Sequence, residues 1–249
     1  MRKYNVLVLP STWGGLERYR SILNKSEIKK IKTWVGQGGT LLAIGSAAAF
    51  LADSSIGISR VKLRRQALDQ LDIYKKAVEE EQMAGKTPVD SLLVWGSGES
   101  GPEEINQTAQ KAVAMNALKQ IDERQRLFLP RGAILNVRLN DEHWLSFGEG
   151  ENVPAILYTS YAFLSKKPVQ TVGRFDDAAN IRLSGLMWQE ARQRWAESAY
   201  LTRESFGNGQ MILFAGEPYF RAYFYGTARL FLNAIFLGPG FGTRGAIDF

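Results

Sequence analysis

Ser46 is the side chain whose sequence setting is most typical of an enzyme nucleophile. It lies in GGTLLAIGSAAAF, residues 38–50, where an apolar run ends at Gly45 and a run of small residues follows. A serine at a strand-to-helix turn can present its hydroxyl beside backbone N–H groups, as in hydrolases with a G-x-S-x-G elbow. That motif is incomplete here because three alanines follow Ser46. Two interpretations stay open: a nucleophile, or an N-cap for a helix over residues 47–51.

The chain offers few groups that could assist a nucleophile or bind a metal ion. It has no cysteine and a single histidine, His143, which argues against thiolate chemistry and against a histidine and cysteine zinc site. The acidic runs FDDAAN and LNDEHW are more typical of turns than of Ca²⁺ or Mg²⁺ loops. Neither glycine-rich phosphate-binding motif is present. We therefore expect no metal and no cofactor in this chain.

A second candidate site follows a late apolar run, MILFAG, which precedes Glu217. Ligand sites of open α/β sheets lie beyond the carboxyl ends of the strands, where early and late strands meet at one edge. The predicted ligand-binding rim comprises Ser11, Trp13, Gly14, Ser46, Glu217 and Arg221. Alternatively, Glu217 and Arg221 are four residues apart at the start of a helix and pair with each other.

Aromatic residues are dense near the C-terminal end of the chain. They are consistent with a peptide or sugar groove, and equally with a core or an interface, because they fall at helical spacing. The set is Trp188, Trp195, Tyr219, Phe220, Tyr223, Phe224 and Tyr225.

These side chains need an α/β framework, which the hydrophobic pattern predicts. The apolar run 5–9, an amphipathic helix with Ser26 as its N-cap, and the strand TLLAIG form a βαβ unit with parallel strands. Four more strands follow Pro130, namely AILNVRL, AILYTS, SAYLTRESF and QMILFAG, and a Gly-Asn-Gly turn joins the last two as a hairpin. A final helix is predicted over residues 219–236.

Length and composition fit one globular domain over residues 1–249, with 45% hydrophobic and 22% charged residues. Residues 60–126 are charge-rich and predict a helical insertion, whose charges form a solvated face or a partner site. The net charge of +6 is too small to indicate nucleic-acid binding. The apolar run near Met1 is too short for a signal sequence or a membrane span. Its position so close to Met1 suggests a domain excised from a longer chain.

Five segments occur in an order that resembles a known domain. They are YNVLVLPS, IKTWVGQGGTLLAIGSAA, PRGAILNVRLNDEHWLSFG, IRLSGLMWQEARQRWAESAYL and GQMILFAGEPYFRAYFYGTARLFLNAIFLGP. The resemblance is to the class I glutamine amidotransferase-like domain that follows the catalytic domain in some bacterial zinc carboxypeptidases of the carboxypeptidase A type. It implies a flavodoxin-like three-layer sandwich with a mostly parallel sheet, a helical insertion and a C-terminal hairpin.

The resemblance also implies that the catalytic positions are degenerate. Active amidotransferases of this class have a cysteine at the turn after the second strand, and a His-Pro-Glu sequence after a late strand. Here Gly45 or Ser46 stands in place of the cysteine, Glu217 in place of the histidine and Tyr219 in place of the glutamate. Glutamine hydrolysis needs a thiolate that an imidazole prepares, so we expect no glutaminase activity.

Three hypotheses about function remain. The resemblance implies a noncatalytic accessory domain that supports or orients an attached zinc carboxypeptidase or its substrate, in a periplasmic or secreted protein. Zinc is then expected only in the attached peptidase domain, since this chain lacks a His-x-x-Glu pair. The second hypothesis is a binding module for a small ligand, peptide or sugar at the rim. The third is an enzyme with a serine or carboxylate mechanism at Ser46 and Glu217.

Overall fold

The structure is a computed structural model that describes residues 3–67 and 115–243. Residues 68–114, most of the predicted insertion, lie outside the described residues. The segments that directly flank residues 68–114, Arg64–Ala67 and Met115–Leu127, are helical. In chain order the helices are α1 Gly15–Ile22, α2 Lys25–Gly36, α3 Ser46–Ala52, α4 Arg64–Ala67, α5 Met115–Leu127, α6 Gln189–Trp195 and α7 Ala228–Phe236.

Within the described residues, ten strands form one mixed sheet. They are β1 Val6–Leu9, β2 Thr40–Ile44, β3 Lys62–Leu63, β4 Ala133–Leu139, β5 Asn152–Leu157, β6 Phe163–Leu164, β7 Gln170–Phe175, β8 Arg182–Ser184, β9 Ala199–Phe206 and β10 Gly209–Phe214. Seven of them follow one another in the order β1-β2-β10-β9-β7-β4-β5, and the short strands β3, β6 and β8 attach beside this path. The fold is therefore mixed α/β.

Strand direction differs between the two halves of the sheet. β1, β2 and β10 pair in parallel, whereas every further pair along the path is antiparallel. The prediction of a mostly parallel sheet is thus wrong, because short connections such as Gly207-Asn208 can only join antiparallel neighbours. The predicted hairpin of β9 and β10 is confirmed, and it lies in the middle of the sheet.

The degree of burial differs between the strands of the sheet. All residues of β2 and β10 are buried, as expected for strands covered on both faces. In β4, buried and partly exposed positions alternate over most of its length, so one face is in the core and the other meets solvent. β2 and β10 are therefore the most deeply buried strands of the sheet, whereas the residues of the edge strand β1 are only partly buried.

The sheet curls strongly, which brings its last strand back towards its first. β5 lies at the far end of the path from β1. Nevertheless Ile156 of β5 lines the same cavity as Ser11 and Gly45, which follow β1 and β2. A Cβ atom on Gly216, just after β10, would lie 3.1 Å from the Ile156 carbonyl oxygen. The carboxyl ends of β1, β2, β10 and β5 thus meet around one crevice.

Two predicted helix starts are corrected. The N-cap of α2 is Asn24 and not Ser26, because the Asn24 side chain accepts hydrogen bonds from the Ser26 and Glu27 N–H groups. The final helix, α7, begins at Ala228 and not at residue 219. The preceding segment contains only a 3₁₀ turn, Phe220–Ala222, in which φ is positive at Arg221. Such a backbone cannot continue an α-helix.

No helix in the described part of the chain is long and apolar enough to cross a membrane.

Candidate functional site

The turn between β2 and α3, here called the elbow turn (Gly45 and Ser46), holds the backbone of Gly45 at positive φ. Its φ is 54° and its ψ is −109°, a combination that L side chains rarely adopt. A Cβ atom at this position would lie 2.8 Å from the Ser11 Oγ atom. Glycine alone satisfies both the conformation and the close approach. The residue at the bend therefore has no side chain with which to react.

Ser46 is buried and its hydroxyl is already bound. It is 3% exposed, and its Oγ atom accepts a hydrogen bond from the Thr12 N–H group at 2.8 Å. The Thr12 and Ser11 hydroxyl oxygens lie 3.3 and 3.5 Å away. Ser46 is the first residue of α3 and Gly45 is its N-cap, so the interpretation of Ser46 as N-cap is wrong. The serine instead ties the loop after β1 to the start of α3.

His143 lies at the opposite edge of the sheet from Ser46. His143 follows the end of β4, and β4 runs antiparallel to β2. The last residues of β4 therefore lie at the edge of the sheet where the parallel strands begin. The His143 Nδ1 atom accepts a hydrogen bond from the Leu145 N–H group, and its Nε2 atom lies 3.4 Å from Gln170 Oε1. Burial lowers the pKa of His143, which favours the neutral ring. It cannot serve as a base for Ser46.

A small cavity of about 60 Å³ opens beside the elbow turn. Three residues of the sequence prediction line it: Ser11, Gly45 and Glu217. The other lining residues come from the end of β5 and from the segments after β5 and β10: Ile156, Tyr158, Thr159, Ala215, Gly216 and Phe220. Ligand pockets usually measure about 300–1,000 Å³, so this cavity accommodates a single small group and not a whole ligand.

The remaining residues of the predicted rim lie elsewhere. Trp13 and Gly14 are exposed on the loop before α1, and Trp13 is fully open to solvent. Ser46 is buried behind Gly45 and does not line the cavity. Arg221 places its guanidinium group 5.2 Å from the centre of the Phe220 ring. The structure therefore brings Ser11 and Glu217 to one cavity but does not bring Trp13, Gly14 or Arg221 there.

Glu217 opens onto the cavity with a perturbed carboxyl group. Exclusion of water by neighbouring atoms raises the pKa of Glu217, and the positive charge of Arg221 opposes this effect. Among the described residues, no ion pair joins Glu217 to Arg221. The helical i, i+4 arrangement that such a pair needs is not formed, because the segment after Glu217 is a loop.

Residues 217–227 form an exposed loop, here called the aromatic loop. Phe220 is buried in it and stacks on Tyr158, with ring centres 4.6 Å apart. Tyr219 and Tyr225 meet edge to face at 5.1 Å. The Thr227 hydroxyl donates a hydrogen bond to the Pro218 carbonyl oxygen at 2.9 Å and so closes the loop. The exposed tyrosines of this surface are Tyr158, Tyr219, Tyr223 and Tyr225.

The C-terminal aromatic residues thus divide between core and surface. Trp195 and Phe220 are buried, Phe224 is partly buried, and Trp188 and the three tyrosines of the aromatic loop are exposed. Sequence reasoning left both outcomes open, and it missed Tyr158 and Thr159 altogether. The available signal was the sequence AILYTS, in which aromatic and hydroxyl side chains directly follow a buried strand.

A larger cavity of about 360 Å³ lies between α1 and the described base of the insertion. Its lining mixes charged and apolar side chains, and it includes a buried pair in which Arg194 Nε lies 3.0 Å from Asp122 Oδ1. This pair joins α6 to α5. Within residues 3–67 and 115–243, no three acidic or histidine side chains are grouped as metal ligands would be.

Comparison with known proteins yields similarity at the level of the fold. No family model matches the chain, and no curated protein matches it. Among solved structures, it is similar to a β-galactosidase from Bacillus circulans sp. alkalophilus, with 11% identity over 95% of this chain and a TM-score of 0.43. It spans only 22% of that enzyme.

Two further structures are similar over nearly the whole chain. A cytoplasmic protein from Salmonella typhimurium has 13% identity over 98% of this chain and 73% of its own, with a TM-score of 0.47. A ThuA-like protein from Bacteroides uniformis has 14% identity over 99% of this chain and 74% of its own, with a TM-score of 0.44. These likenesses concern the fold alone, and no activity, ligand or partner of this chain follows from them.

Proposed function

We propose that this chain is a noncatalytic, glutamine amidotransferase-like accessory domain that supports or orients an attached zinc carboxypeptidase or its substrate. The observation that carries the proposal is the elbow turn. Its residue at positive φ is Gly45, which has no side chain, and the adjacent Ser46 is 3% exposed. A turn that retains its geometry without a reactive group has a structural role.

The other groups near the elbow turn do not replace the missing nucleophile. Nucleophilic catalysis requires a hydroxyl or thiol within hydrogen-bond reach of a base. The Ser46 hydroxyl accepts from Thr12, and His143 lies at the far edge of the sheet. Ser11 and Glu217 share the cavity, yet no hydrogen bond joins these two described residues. This arrangement argues against the serine or carboxylate mechanism.

The peptidase partner rests on the sequence resemblance. In such a protein the zinc ion and its histidine and glutamate ligands belong to the attached domain, and the location is periplasmic or secreted. The exposed aromatic residues of the aromatic loop and Trp188 would then face the peptidase or its substrate, since exposed apolar clusters commonly mark interaction surfaces.

The gene tests this proposal directly. We expect its coding sequence to contain a signal peptide and a peptidase domain with a His-x-x-Glu pair. In the full-length protein, deletion of residues 1–249 of this chain should lower peptidase activity on large substrates more than on a dipeptide. A coding sequence with no peptidase domain, in the same gene or beside it, would contradict the proposal.

A second candidate function is a binding module at the carboxyl ends of the strands. It is favoured by one observation: exposed tyrosines surround a cavity that is lined by Ser11, Thr159 and Glu217. Calorimetric titration with peptides, sugars and amino acids tests it. Heat of binding to any of these that is lost on mutation of the aromatic loop supports the role, and no heat from all three classes contradicts it.

A further inference from the structure

Phe220 packs against two of the four exposed tyrosines, Tyr158 and Tyr223. It is 6% exposed, and the Tyr158 ring lies against it at 4.6 Å with an angle of 11° between the planes. The Tyr223 ring meets it edge to face at 6.1 Å. Because two exposed rings pack on one buried ring, they cannot reorient independently. A ligand would therefore meet a preformed aromatic surface, which reduces the entropic cost of binding.

The backbone of the aromatic loop is strained at two consecutive residues that are not glycine. Arg221 has a φ of 52° and Ala222 a φ of 55°. The Tyr225 hydroxyl donates a hydrogen bond to the Ala222 carbonyl oxygen at 3.0 Å, which helps to maintain this bend. Left-handed residues of this kind persist only where surrounding contacts impose them, and they cluster at ligand-binding sites. The strain thus lies next to the exposed rings.

The exposed surface consists of tyrosine rings with polar edges. Tyr158, Tyr219, Tyr223 and Tyr225 are 49%, 42%, 62% and 62% exposed, respectively. Each presents an apolar ring face together with a hydroxyl group, although the Tyr225 hydroxyl already donates to Ala222 and is left as an acceptor only. This chemistry matches a ligand whose own surface alternates C–H and O–H groups.

The charges of the aromatic loop favour neither a cation nor an anion, which leaves a neutral ligand or a zwitterion such as an amino acid or peptide. Glu217 and Arg221 are its charged side chains, and they carry opposite signs. A cation would be attracted by Glu217 and repelled by Arg221, and an anion would experience the reverse. A neutral hydroxyl, in contrast, can donate to the carboxylate and accept from the guanidinium group, and both hydrogen bonds are charge-assisted.

We propose that the aromatic loop and Tyr158 bind a neutral carbohydrate chain. The apolar faces of its sugar rings stack on the tyrosines, and its hydroxyl groups bond to Glu217 and Arg221. The cavity of about 60 Å³ is too small for a sugar ring, so it receives at most one substituent while the chain lies across the surface. This inference rests on the second candidate function, the binding module, and names its ligand class.

Calorimetry with neutral oligosaccharides and soluble polysaccharides of glucose, galactose and mannose tests the inference. We expect at least one of these probes to bind. Tyr223→Ala and Tyr225→Ala should each weaken binding about tenfold, in line with loss of one aromatic contact. Tyr223→Phe should retain most of the affinity because the ring face remains. Phe147→Ala is the matched control, since Phe147 is exposed at the opposite edge of the sheet.

The outcomes separate this inference from the binding role on which it rests. If no carbohydrate binds but a peptide binds and the tyrosine variants abolish that binding, the carbohydrate inference is overturned and the binding module is retained. If none of the probes binds, both are overturned. Carbohydrate binding that the tyrosine variants leave unchanged, with circular dichroism showing that they are folded, also overturns the inference.

Discussion

The elbow turn and the aromatic loop both hold the backbone at positive φ, but with different residue types. In the elbow turn the residue at positive φ is Gly45, which adopts this conformation without steric penalty. In the aromatic loop the residues at positive φ are Arg221 and Ala222, whose Cβ atoms make this conformation sterically unfavourable. The elbow turn is packed against Ser11 and faces a cavity of about 60 Å³, whereas the loop exposes its aromatic side chains.

This difference separates a turn that packs inside the molecule from a loop that presents side chains to solvent. At the elbow turn, glycine removes both the strain and the side chain, so the turn contributes packing only. At the aromatic loop, the strain is retained and surrounding contacts maintain it, which positions exposed rings. In the two proposals made above, the elbow turn is structural and the aromatic loop is the interaction surface.

The largest effect is expected at the ring on which the aromatic loop is built. Phe220→Ala should destabilise the protein by about 3 kcal/mol, because it leaves a cavity under Tyr158 and Tyr223. Urea denaturation measures the change. Phe147→Ala, at an exposed ring, is the control and should have little effect. Equal decreases in the free energy of unfolding of the two variants would contradict the claim that the loop packs on Phe220.

Adding a single methyl group to the elbow turn should lower the stability of the protein nearly as much as Phe220→Ala does. Gly45→Ala is expected to cost about 1–3 kcal/mol, because φ is positive and the new Cβ atom would lie 2.8 Å from Ser11 Oγ. Gly57→Ala is a matched control. Its φ is +61°, but the nearest atom to a new Cβ would be 3.9 Å away, so we expect about 1 kcal/mol or less.

A double-mutant cycle sharpens this test. Adding Ser11→Gly to Gly45→Ala should recover the part of the lost stability that comes from the close contact between the new Cβ atom and Ser11 Oγ. Purely additive losses in the denaturation midpoints would mean that Ser11 does not pack against the elbow turn.

A smaller and opposite effect is expected in the aromatic loop. Ala222→Gly should stabilise the protein by about 0.5 kcal/mol, since relief of the left-handed strain exceeds the entropic cost of glycine. Ala196→Gly is the control, because Ala196 has a φ of −50° and gains nothing from glycine. Thermal melts of both variants measure the difference. Destabilisation of the two variants by equal amounts would argue against strain at Ala222.

The smallest effect is a pH dependence at Glu217. Exclusion of water raises its pKa in the folded protein, so the folded state binds the proton more tightly than the unfolded state. The ionised carboxylate therefore lowers stability at neutral pH. Glu217→Gln should melt slightly higher than the wild type at pH 7, and the difference should disappear as the pH falls through the raised pKa towards 4.5, the ordinary value.

Glu151→Gln controls for the general loss of one negative charge from an exposed position. A Glu217→Gln variant that melts lower than wild type at pH 7, while the control is unchanged, would show that the ionised carboxylate stabilises the fold.

The parallel half of the sheet could be predicted because its signals are local. An apolar run, an amphipathic helix and a second apolar run are enough to identify β1, α2 and β2, and a two-residue turn identifies the hairpin. The order and direction of the other strands depend on pairings between distant segments, for which periodicity gives no information. The mixed sheet was therefore missed.

The candidate site was only partly predictable for the same reason. Ser11 and Glu217 follow strands that the sequence identifies, so their meeting at one edge could be expected. Tyr158 reaches them only because the sheet curls. The aromatic loop was predicted as helix because positive φ at Arg221 and Ala222 has no sequence signal when neither residue is glycine.

The central claim is that the elbow turn has no reactive group, and ammonia release from glutamine tests it most directly. We expect the purified protein to release no more ammonia than a buffer blank, and Ser46→Ala to behave identically while remaining folded. Ammonia release by the wild type that Ser46→Ala abolishes would contradict the claim, because Ser46 would then act as a nucleophile despite its burial and its hydrogen bond from Thr12.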